Sequence, residues 1–207
     1  MGDYIPKIAI FGDSGVGKSS LCNALFGKEI AKVSDVEACT RELQEIEISS
    51  KDGKRIKLID VPGIGEDPQK HEEYTKLYKK LVDDIDLVIW AIKADDRKYA
   101  TAIDVFEKEL SLHLNIVPVV MVITQVDKIE PCREWDNKPS EKQNENIYKK
   151  IDDISKRFKI DKTKIIPIST CERSDYNLSL LFKTIIELLP NDKMYSFYRE
   201  VKDEFKS

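Results

Sequence analysis

Eight residues near the N-terminus have the types and spacing of a phosphate-binding loop. The segment GDSGVGKS, residues 12–19, separates two glycines by four residues and continues with Lys18 and Ser19. Glycines permit the tight turn that directs backbone N–H groups at phosphate oxygens, Lys18 reaches the β and γ phosphates, and Ser19 offers a hydroxyl to Mg²⁺. We predict that the nucleotide is bound by Asp13, Ser14, Gly15, Val16, Gly17, Lys18, Ser19 and Ser20.

A second candidate group lies at the end of a strand pattern. The segment IKLID ends in the acid Asp60, and VPG follows with Gly63. A carboxylate beside a phosphate-binding loop can hold a Mg²⁺-bound water, and a glycine lets its backbone N–H approach the γ-phosphate. These two groups predict phosphate and magnesium chemistry, and they leave ATPases, small-molecule kinases and GTPases open.

The third candidate group would read the base. The segment TQVD, residues 124–127, follows another apolar run. Its Asp can accept the N1–H and the N2 amino hydrogens of guanine, a donor pair that adenine lacks. The last predicted strand ends in STC, residues 169–171, where backbone N–H groups could meet guanine O6, although Ser and Thr after a strand also cap turns. The predicted base-binding residues are Thr124, Gln125, Asp127, Ser169 and Thr170.

Val- and Ile-rich segments alternate with segments of helical period, which is typical of an α/β fold with a mostly parallel sheet. The predicted strands are residues 5–11, 43–49, 55–59, 87–92, 117–123 and 164–168. The predicted helices are residues 18–26, 71–82, 100–113, 144–158 and 178–189. A turn at residues 51–54 joins the second and third strands as a hairpin, so one edge strand is antiparallel.

Two segments fall outside this alternation. The polar stretch 130–143 contains two prolines, and residues 191–207 form an amphipathic helical pattern after the break at Pro190. We expect a domain over residues 1–190 and a C-terminal helix over 191–207. The apolar stripe of that helix packs on the domain itself or binds a partner or a second subunit.

The composition excludes several classes of protein. The 207 residues include 34 Lys or Arg and 38 Asp or Glu, for a net charge of -4, so no bulk charge attracts nucleic acid or anionic lipid. The longest apolar runs are far shorter than the ~20 residues that span a bilayer, and the N-terminus has no signal-peptide pattern. Four scattered cysteines and two histidines make a zinc site improbable and fit free thiols, so we expect a cytoplasmic location.

Five segments of the sequence resemble, in order, the five motifs of small GTPases. They are GDSGVGKS, Thr40, DVPG, TQVD and STC. ACTRE followed by DVPG resembles the Era- and TrmE-like bacterial GTPases, and the strings GKSSLCNALFG, VSDVEACTRE and KADDR are similar to the YfjP-type group. The immunity-related GTPases, which share a stretch like LPGIG, are the neighbouring possibility. The resemblance implies a three-layer Ras-like P-loop GTPase fold, with a mixed, mostly parallel six-stranded sheet and helices on both faces.

The resemblance also implies roles for individual residues. It makes Thr40 the switch residue that joins Mg²⁺ and senses the γ-phosphate, and it makes Asp60 and Gly63 the start of the second switch. The catalytic residues would then be Lys18, Thr40 and Gly63. The metal ligands would be Ser19, Thr40 and Asp60.

The chain departs from the family pattern at three positions. Gln125 replaces the Lys whose stem covers the guanine face. Gly15 stands where potassium-activated members carry Asn, so we expect no potassium activation. Ile64 stands where Ras-like enzymes place the Gln that orients the attacking water.

The predicted function is that of a Mg²⁺-dependent molecular switch that hydrolyses GTP to GDP and phosphate. Because no carboxamide orients the water, we expect slow intrinsic turnover that a protein partner or a nucleotide-dependent homodimer stimulates. Two alternatives remain: a self-assembling or membrane-associated GTPase like the immunity-related group, and a nucleotide-binding interaction module with little hydrolysis. Clusters of Lys and Arg are interleaved with acids, so the sequence carries no strong nucleic-acid signal.

Overall fold

Six strands form one sheet in the order β2-β3-β1-β4-β5-β6. We analysed a computed structural model that describes residues 6–13, 15–26, 44–49, 55–60, 76, 81, 84–97, 100–107, 117–171 and 174–189. The strands are β1 (Lys7–Phe11), β2 (Gln44–Ser49), β3 (Arg55–Asp60), β4 (Leu87–Lys93), β5 (Val119–Thr124) and β6 (Ile165–Pro167). β2 runs antiparallel to β3, and all other neighbouring pairs are parallel.

The register of the parallel strands aligns their carboxyl ends. Ile10 of β1 pairs with Asp60 of β3 and with Ile89 of β4, and Lys93 of β4 pairs with Thr124 of β5. In open α/β sheets, ligands bind in the crevice outside this edge of the sheet. The segments that follow β1 and β3 therefore begin side by side, and the segment that follows β5 begins at the same edge of the sheet, on the other side of β4.

Helices cover both faces of the sheet. They are α1 (Lys18–Phe26), α2 (Ala100–Val105), α3 (Glu141–Phe158) and α4 (Leu178–Leu188). Successive residues of β1 alternate between two cores: Ile8 and Ile10 pack with the apolar residues of α1 and α4, whereas Ala9 and Phe11 pack with those of α2 and α3. This alternation produces three layers, with the sheet in the middle.

The core between the sheet and helices α2 and α3 has an aromatic centre, which lies near the carboxyl end of β4. Trp90 is fully buried and stacks on Phe11 with ring centroids 5.5 Å apart, and it meets Phe106 edge to face at 5.2 Å and Phe158 at 6.2 Å. Such pairs stabilise a core by roughly 0.5–1.5 kcal/mol each beyond their burial. The cluster fixes the strands from which the candidate site extends.

Several predicted boundaries move for identifiable reasons. α3 begins at Glu141 rather than at residue 144, because Ser140 and Gln143 form a reciprocal capping box. β5 begins at Val119 rather than at residue 117, after Pro118, which has no backbone N–H to donate. The last strand, predicted over residues 164–168 with STC at its end, is shorter: β6 is Ile165–Pro167, and Ser169–Cys171 is a separate strand.

That separate strand forms a small second sheet. Ser169–Cys171 (β7) pairs antiparallel with Ser174–Tyr176 (β8), and Ser169 lies opposite Tyr176. Sequence reasoning missed this hairpin. It positions Ser169 and Thr170 directly after the carboxyl end of β6.

Other predictions fall partly or wholly outside the described residues. These are the turn at 51–54, most of the helix predicted at 71–82, the second half of the helix predicted at 100–113, and the C-terminal helix at 191–207. Within the described part of the chain, Cys22, Cys132 and Cys171 form no disulfide. No helix among the described residues is long and apolar enough to cross a membrane.

Candidate functional site

The loop between β1 and α1 depends on glycine at three positions. Gly12, Gly15 and Gly17 adopt φ values of 147°, 75° and 91°, which L side chains rarely adopt. A Cβ at Gly12 would lie 2.6 Å from the carbonyl oxygen of Ala91 in β4. The loop is therefore held directly against the neighbouring strand, and Gly12 permits that approach.

Lys18 folds back over this loop from the first residue of α1. Its Nζ donates to the carbonyl oxygens of Gly12 at 3.0 Å and Asp13 at 3.2 Å. Ser19 and Ser20 follow in the first turn of the helix, where N–H groups and the helix dipole favour an anion. The backbone N–H of Leu21 donates to Gly17 at 2.9 Å, which joins the loop to the helix. An ammonium and a helix N-terminus thus converge on one loop.

Thr124, the last residue of β5, is bonded to the loop through its side chain. Its hydroxyl donates to the carbonyl oxygen of Val16 at 2.5 Å and also lies 3.4 Å from that of Ile92. Thr124 is 3% exposed. The sequence predicted a nucleotide contact for Thr124, whereas the structure engages its hydroxyl within the protein. The hydrogen bond from Thr124 to Val16 couples the position of the TQVD segment to that of the phosphate loop.

Gln125 makes a second connection between the same two segments. Its backbone is left-handed, with φ at 58°, and its Nε2 donates to the carbonyl oxygen of Gly15 at 3.3 Å. The Nζ of Lys128 donates to Gln125 Oε1 at 2.6 Å. The carboxamide therefore lies between the phosphate loop and the short 3₁₀ helix Val126–Lys128.

Asp127 is positioned by the β7–β8 hairpin. Its Oδ1 accepts a hydrogen bond from the hydroxyl of Ser169 at 2.7 Å, and Ser169 is fully buried. The backbone N–H of Val126 donates to Ile168 at 3.2 Å, so the two segments are also joined through the main chain. The prediction for Ser169 invoked its backbone N–H; its hydroxyl contact with Asp127 was missed.

An aromatic pair lies behind this hairpin. Trp135 meets Tyr176 edge to face, with ring centroids 5.5 Å apart, and both rings pack on the core that contains Trp90. Burial raises the pKa of the Tyr176 phenol above its ordinary value. Trp135 belongs to the polar stretch 130–143, so this part of the sequence contributes packing beside the hairpin that contacts Asp127.

Four of the predicted site residues lie partly or wholly outside the described residues. The backbone of Asp60 ends β3 beside Ile10, while the side chain of Asp60 and all of Ser14, Thr40 and Gly63 lie outside the described residues. Hydroxyl and carboxylate oxygens suit Mg²⁺, and the register brings the ends of β1 and β3 to one edge of the sheet, while Ser19 lies in the first turn of α1, the helix that follows β1. The donor set therefore fits Mg²⁺. Within the described ranges, no three His, Cys, Asp or Glu residues are grouped as a metal site.

Comparison with known proteins identifies one family and several relatives. The family described as 50S ribosome-binding GTPase matches residues 7–125. The chain is 35% identical to the uncharacterized protein YkfA of Escherichia coli strain K12, covering 99% of this chain and 69% of YkfA. It is 35% identical to YfjP of the same strain, covering 91% and 64%, and 29% identical to the GTPase Era of Aquifex aeolicus, covering 88% and 56%. The chain thus spans between about half and about two thirds of the length of these relatives.

Solved structures of Era have the same architecture. Era in complex with MgGDPNP and nucleotides 1506–1542 of 16S ribosomal RNA superimposes with a TM-score of 0.63 at 25% identity, covering 90% of this chain and 57% of Era. An Aquifex aeolicus Era variant bound to GDP·AlF₄⁻ gives 0.61 at 25% identity, with the same coverage.

Proposed function

Because the chain belongs to the 50S ribosome-binding GTPase family, as a small P-loop GTPase of the Era-like class, we propose that its site hydrolyses GTP to GDP and phosphate as a molecular switch. One observation carries the proposal: Thr124 and Gln125 bond the base-reading segment to the phosphate loop. A site that reads guanine and holds phosphates must fix these two segments relative to each other. Two hydrogen bonds are enough to hold the two segments together here, because both segments begin at the same edge of the sheet.

The phosphate end of the site works by electrostatics and positioning. Lys18, the loop N–H groups and the start of α1 stabilise negative charge on the phosphates. Ser19, Thr40 and Asp60 would hold Mg²⁺, which neutralises phosphate charge when bound. Gly63 would offer its backbone N–H to the γ-phosphate, and Thr40 would sense that phosphate.

The base end of the site selects guanine. The carboxylate of Asp127, oriented by Ser169, accepts the N1–H and N2 amino hydrogens of guanine. Adenine offers no such donor pair, so binding it would desolvate the carboxylate without providing hydrogen bonds from the base. We propose that Thr170 and the rest of the β7–β8 hairpin line the O6 side of the base.

We propose that intrinsic turnover is slow and that a protein partner or a second copy of the chain accelerates it. Ile64 has no carboxamide with which to orient the attacking water, and water positioning or an arginine finger changes such rates by orders of magnitude. The solved Era complex contains a ribosomal RNA fragment, but the present chain spans 57% of that protein. The proposed site of action is the cytoplasm.

The test measures binding and hydrolysis together. Wild type, Asp127→Asn and a control, Asp153→Asn on the exposed face of α3, are titrated with GTP, ATP and xanthosine triphosphate in the presence of Mg²⁺. We expect the wild type and control to prefer GTP, and Asp127→Asn to prefer the xanthosine nucleotide, because an amide donates where guanine also donates. Equal binding of GTP and ATP by the wild type would overturn the base assignment.

Phosphate release is then followed over a hundredfold range of protein concentration. A rate per molecule that rises with concentration supports activation by a second copy, and a flat, slow rate leaves activation to another protein. A fast rate in the dilute monomer, with no rise on concentration, would contradict slow intrinsic turnover. Low activity that no partner or concentration raises would favour the nucleotide-binding interaction module.

A further inference from the structure

Lys128, Gln125 and the phosphate loop form a continuous chain of hydrogen bonds. The Lys128 ammonium donates to Gln125 Oε1 at 2.6 Å, and Gln125 Nε2 donates to the carbonyl oxygen of Gly15 at 3.3 Å. Both polar ends of the carboxamide are thereby engaged. This series of hydrogen bonds connects Lys128, the residue after Asp127, to the loop that would hold the phosphates.

The two ends of the carboxamide require different partners, which fixes how it is turned. Its NH₂ can only donate and its oxygen can only accept, so Gly15 takes one end and Lys128 the other. A hydrogen bond to a charged donor is roughly twice as strong as one between neutral groups. Lys128 therefore opposes rotation of the carboxamide more than a neutral donor would.

The carboxamide also has little room to move on the loop side. A Cβ at Gly17 would lie 3.6 Å from Gln125 Nε2 and 4.0 Å from the Cβ of Thr124, so Gln125 passes at van der Waals distance from the loop backbone. The left-handed backbone of Gln125, with φ at 58°, is energetically unfavourable for a residue that has a side chain. The contacts with Gly15 and Lys128 oppose that cost.

We propose that Lys128 is a positioning residue for guanine binding, which acts by holding the Gln125 carboxamide flat against the face of the base. Gln125 stands where the family pattern has a lysine, and its neutral carboxamide carries no charge of its own to strengthen the hydrogen bond to the loop. In this chain two residues divide the tasks of covering the base and holding the cover in place. Gln125 supplies the planar surface, and Lys128 supplies the charge that fixes it. The inference rests on the proposed binding of guanine beside Asp127.

A double-mutant cycle tests the division of tasks. Affinities for GDP and GTP are measured for wild type, Lys128→Met, Gln125→Lys and the double variant, with Lys142→Met on the exposed face of α3 as the matched control. We expect Lys128→Met to weaken GDP and GTP equally, by about three- to tenfold, which is less than the loss of a buried charge-assisted hydrogen bond because the bond between Lys128 and Gln125 is exposed to solvent. In the Gln125→Lys background the same substitution should change neither affinity, because the carboxamide it held is gone.

Two further measurements separate positioning from a merely structural effect. Lys128→Arg retains a cationic donor and should restore most of the affinity that Lys128→Met loses. In the nucleotide-free protein, the side-chain amide resonances of Gln125 should shift and sharpen in Lys128→Met, as expected for a freed carboxamide, and remain unchanged in Lys142→Met.

The outcomes distinguish this inference from the proposed function. An equal loss in both backgrounds, a loss for GTP but not GDP, or a Lys128→Met variant indistinguishable from Lys142→Met would overturn the role of Lys128 while leaving GTP binding intact. A wild type that does not prefer GTP over ATP would instead overturn the proposed function from which this inference starts.

Discussion

The hydroxyl of Ser169 donates a hydrogen bond of 2.7 Å to the carboxylate of Asp127, across 42 residues of sequence. Ser169 is fully buried, and its Oγ also lies 3.4 Å from the backbone N–H of Cys171, so the oxygen that orients Asp127 is itself held by the hairpin. A residue that would read the base is thus positioned by a hairpin that the apolar pattern of the sequence does not reveal.

Removing this hydroxyl should weaken guanine binding without unfolding the protein. We expect Ser169→Ala to lower GTP and GDP affinity about tenfold, because a hydrogen bond to a charged group contributes about 1.5–3 kcal/mol and solvent replaces part of it. Isothermal titration with both nucleotides measures the loss. Ser155→Ala is the matched control, since its hydroxyl donates to Ile160 at 2.8 Å at the far end of α3. A Ser169→Ala variant with wild-type affinity would show that Asp127 needs no such support.

The bond between Thr124 and the phosphate loop leads to a second prediction. Thr124→Val keeps the shape of the side chain but leaves the Val16 carbonyl without this donor, so we expect the free energy of unfolding to fall by about 1–3 kcal/mol. Affinity for GTP and GDP should fall as well, since the loop loses its connection to β5. Thr184→Val, whose hydroxyl donates to Leu180 within α4 at 2.9 Å, provides the control for stability. Thr184→Val should leave the affinity for GTP and GDP unchanged.

Local signals in the sequence are sufficient to predict much of the fold. The predicted helix 18–26 matches α1, because its start is set by the phosphate-loop motif itself. The apolar runs of β4 and β5 are buried on both faces, which makes them recognisable as central strands. Such features are encoded by neighbouring residues, so a single sequence contains them.

What the sequence did not reveal depends on contacts between distant residues or on very short elements. The Thr124–Val16 bond joins residues 108 positions apart, so TQVD could be assigned only to the base. The strands β7 and β8 have three residues each, too few for an alternating pattern to stand out. The start of α3 lay inside a polar stretch with two prolines, where the capping box of Ser140 was overlooked.

Two glycines of the phosphate loop should respond differently to the same added methyl group. In Gly12→Ala the new Cβ would meet the Ala91 carbonyl at 2.6 Å, in a central strand that cannot move aside, so we expect a loss of about 3 kcal/mol or more in the free energy of unfolding. In Gly15→Ala no atom of the described residues, chain neighbours aside, lies within 4 Å of the new Cβ, so we expect only the backbone strain at φ 75°, about 1–2 kcal/mol. Urea unfolding of both variants measures the difference. Equal losses would contradict the close approach of the loop to β4.

Lys150 should make stability depend on alkaline pH. Its ammonium donates to the backbone carbonyl of Asp96 from a half-buried position on α3, and burial lowers its pKa from 10.5, against the opposing effect of Asp96 and Asp153. Below the lowered pKa, Lys150 is charged in both the folded and unfolded states. As the pH rises from that value toward 10.5, the unfolded state holds the proton more tightly, so the contribution of Lys150 to the free energy of unfolding increases.

Lys150→Met removes this titration but keeps an apolar stem. The free energy of unfolding of the wild type, measured relative to Lys150→Met by urea denaturation between pH 8 and about pH 10, should therefore rise with pH. Lys149→Met, on the exposed side of the same helix turn, is the control for removing one positive charge, and the difference between wild type and Lys149→Met should not show this rise. A difference for Lys150→Met that stays flat or falls with pH would mean that hydrogen bonding to the Asp96 carbonyl keeps the ammonium charged despite its burial.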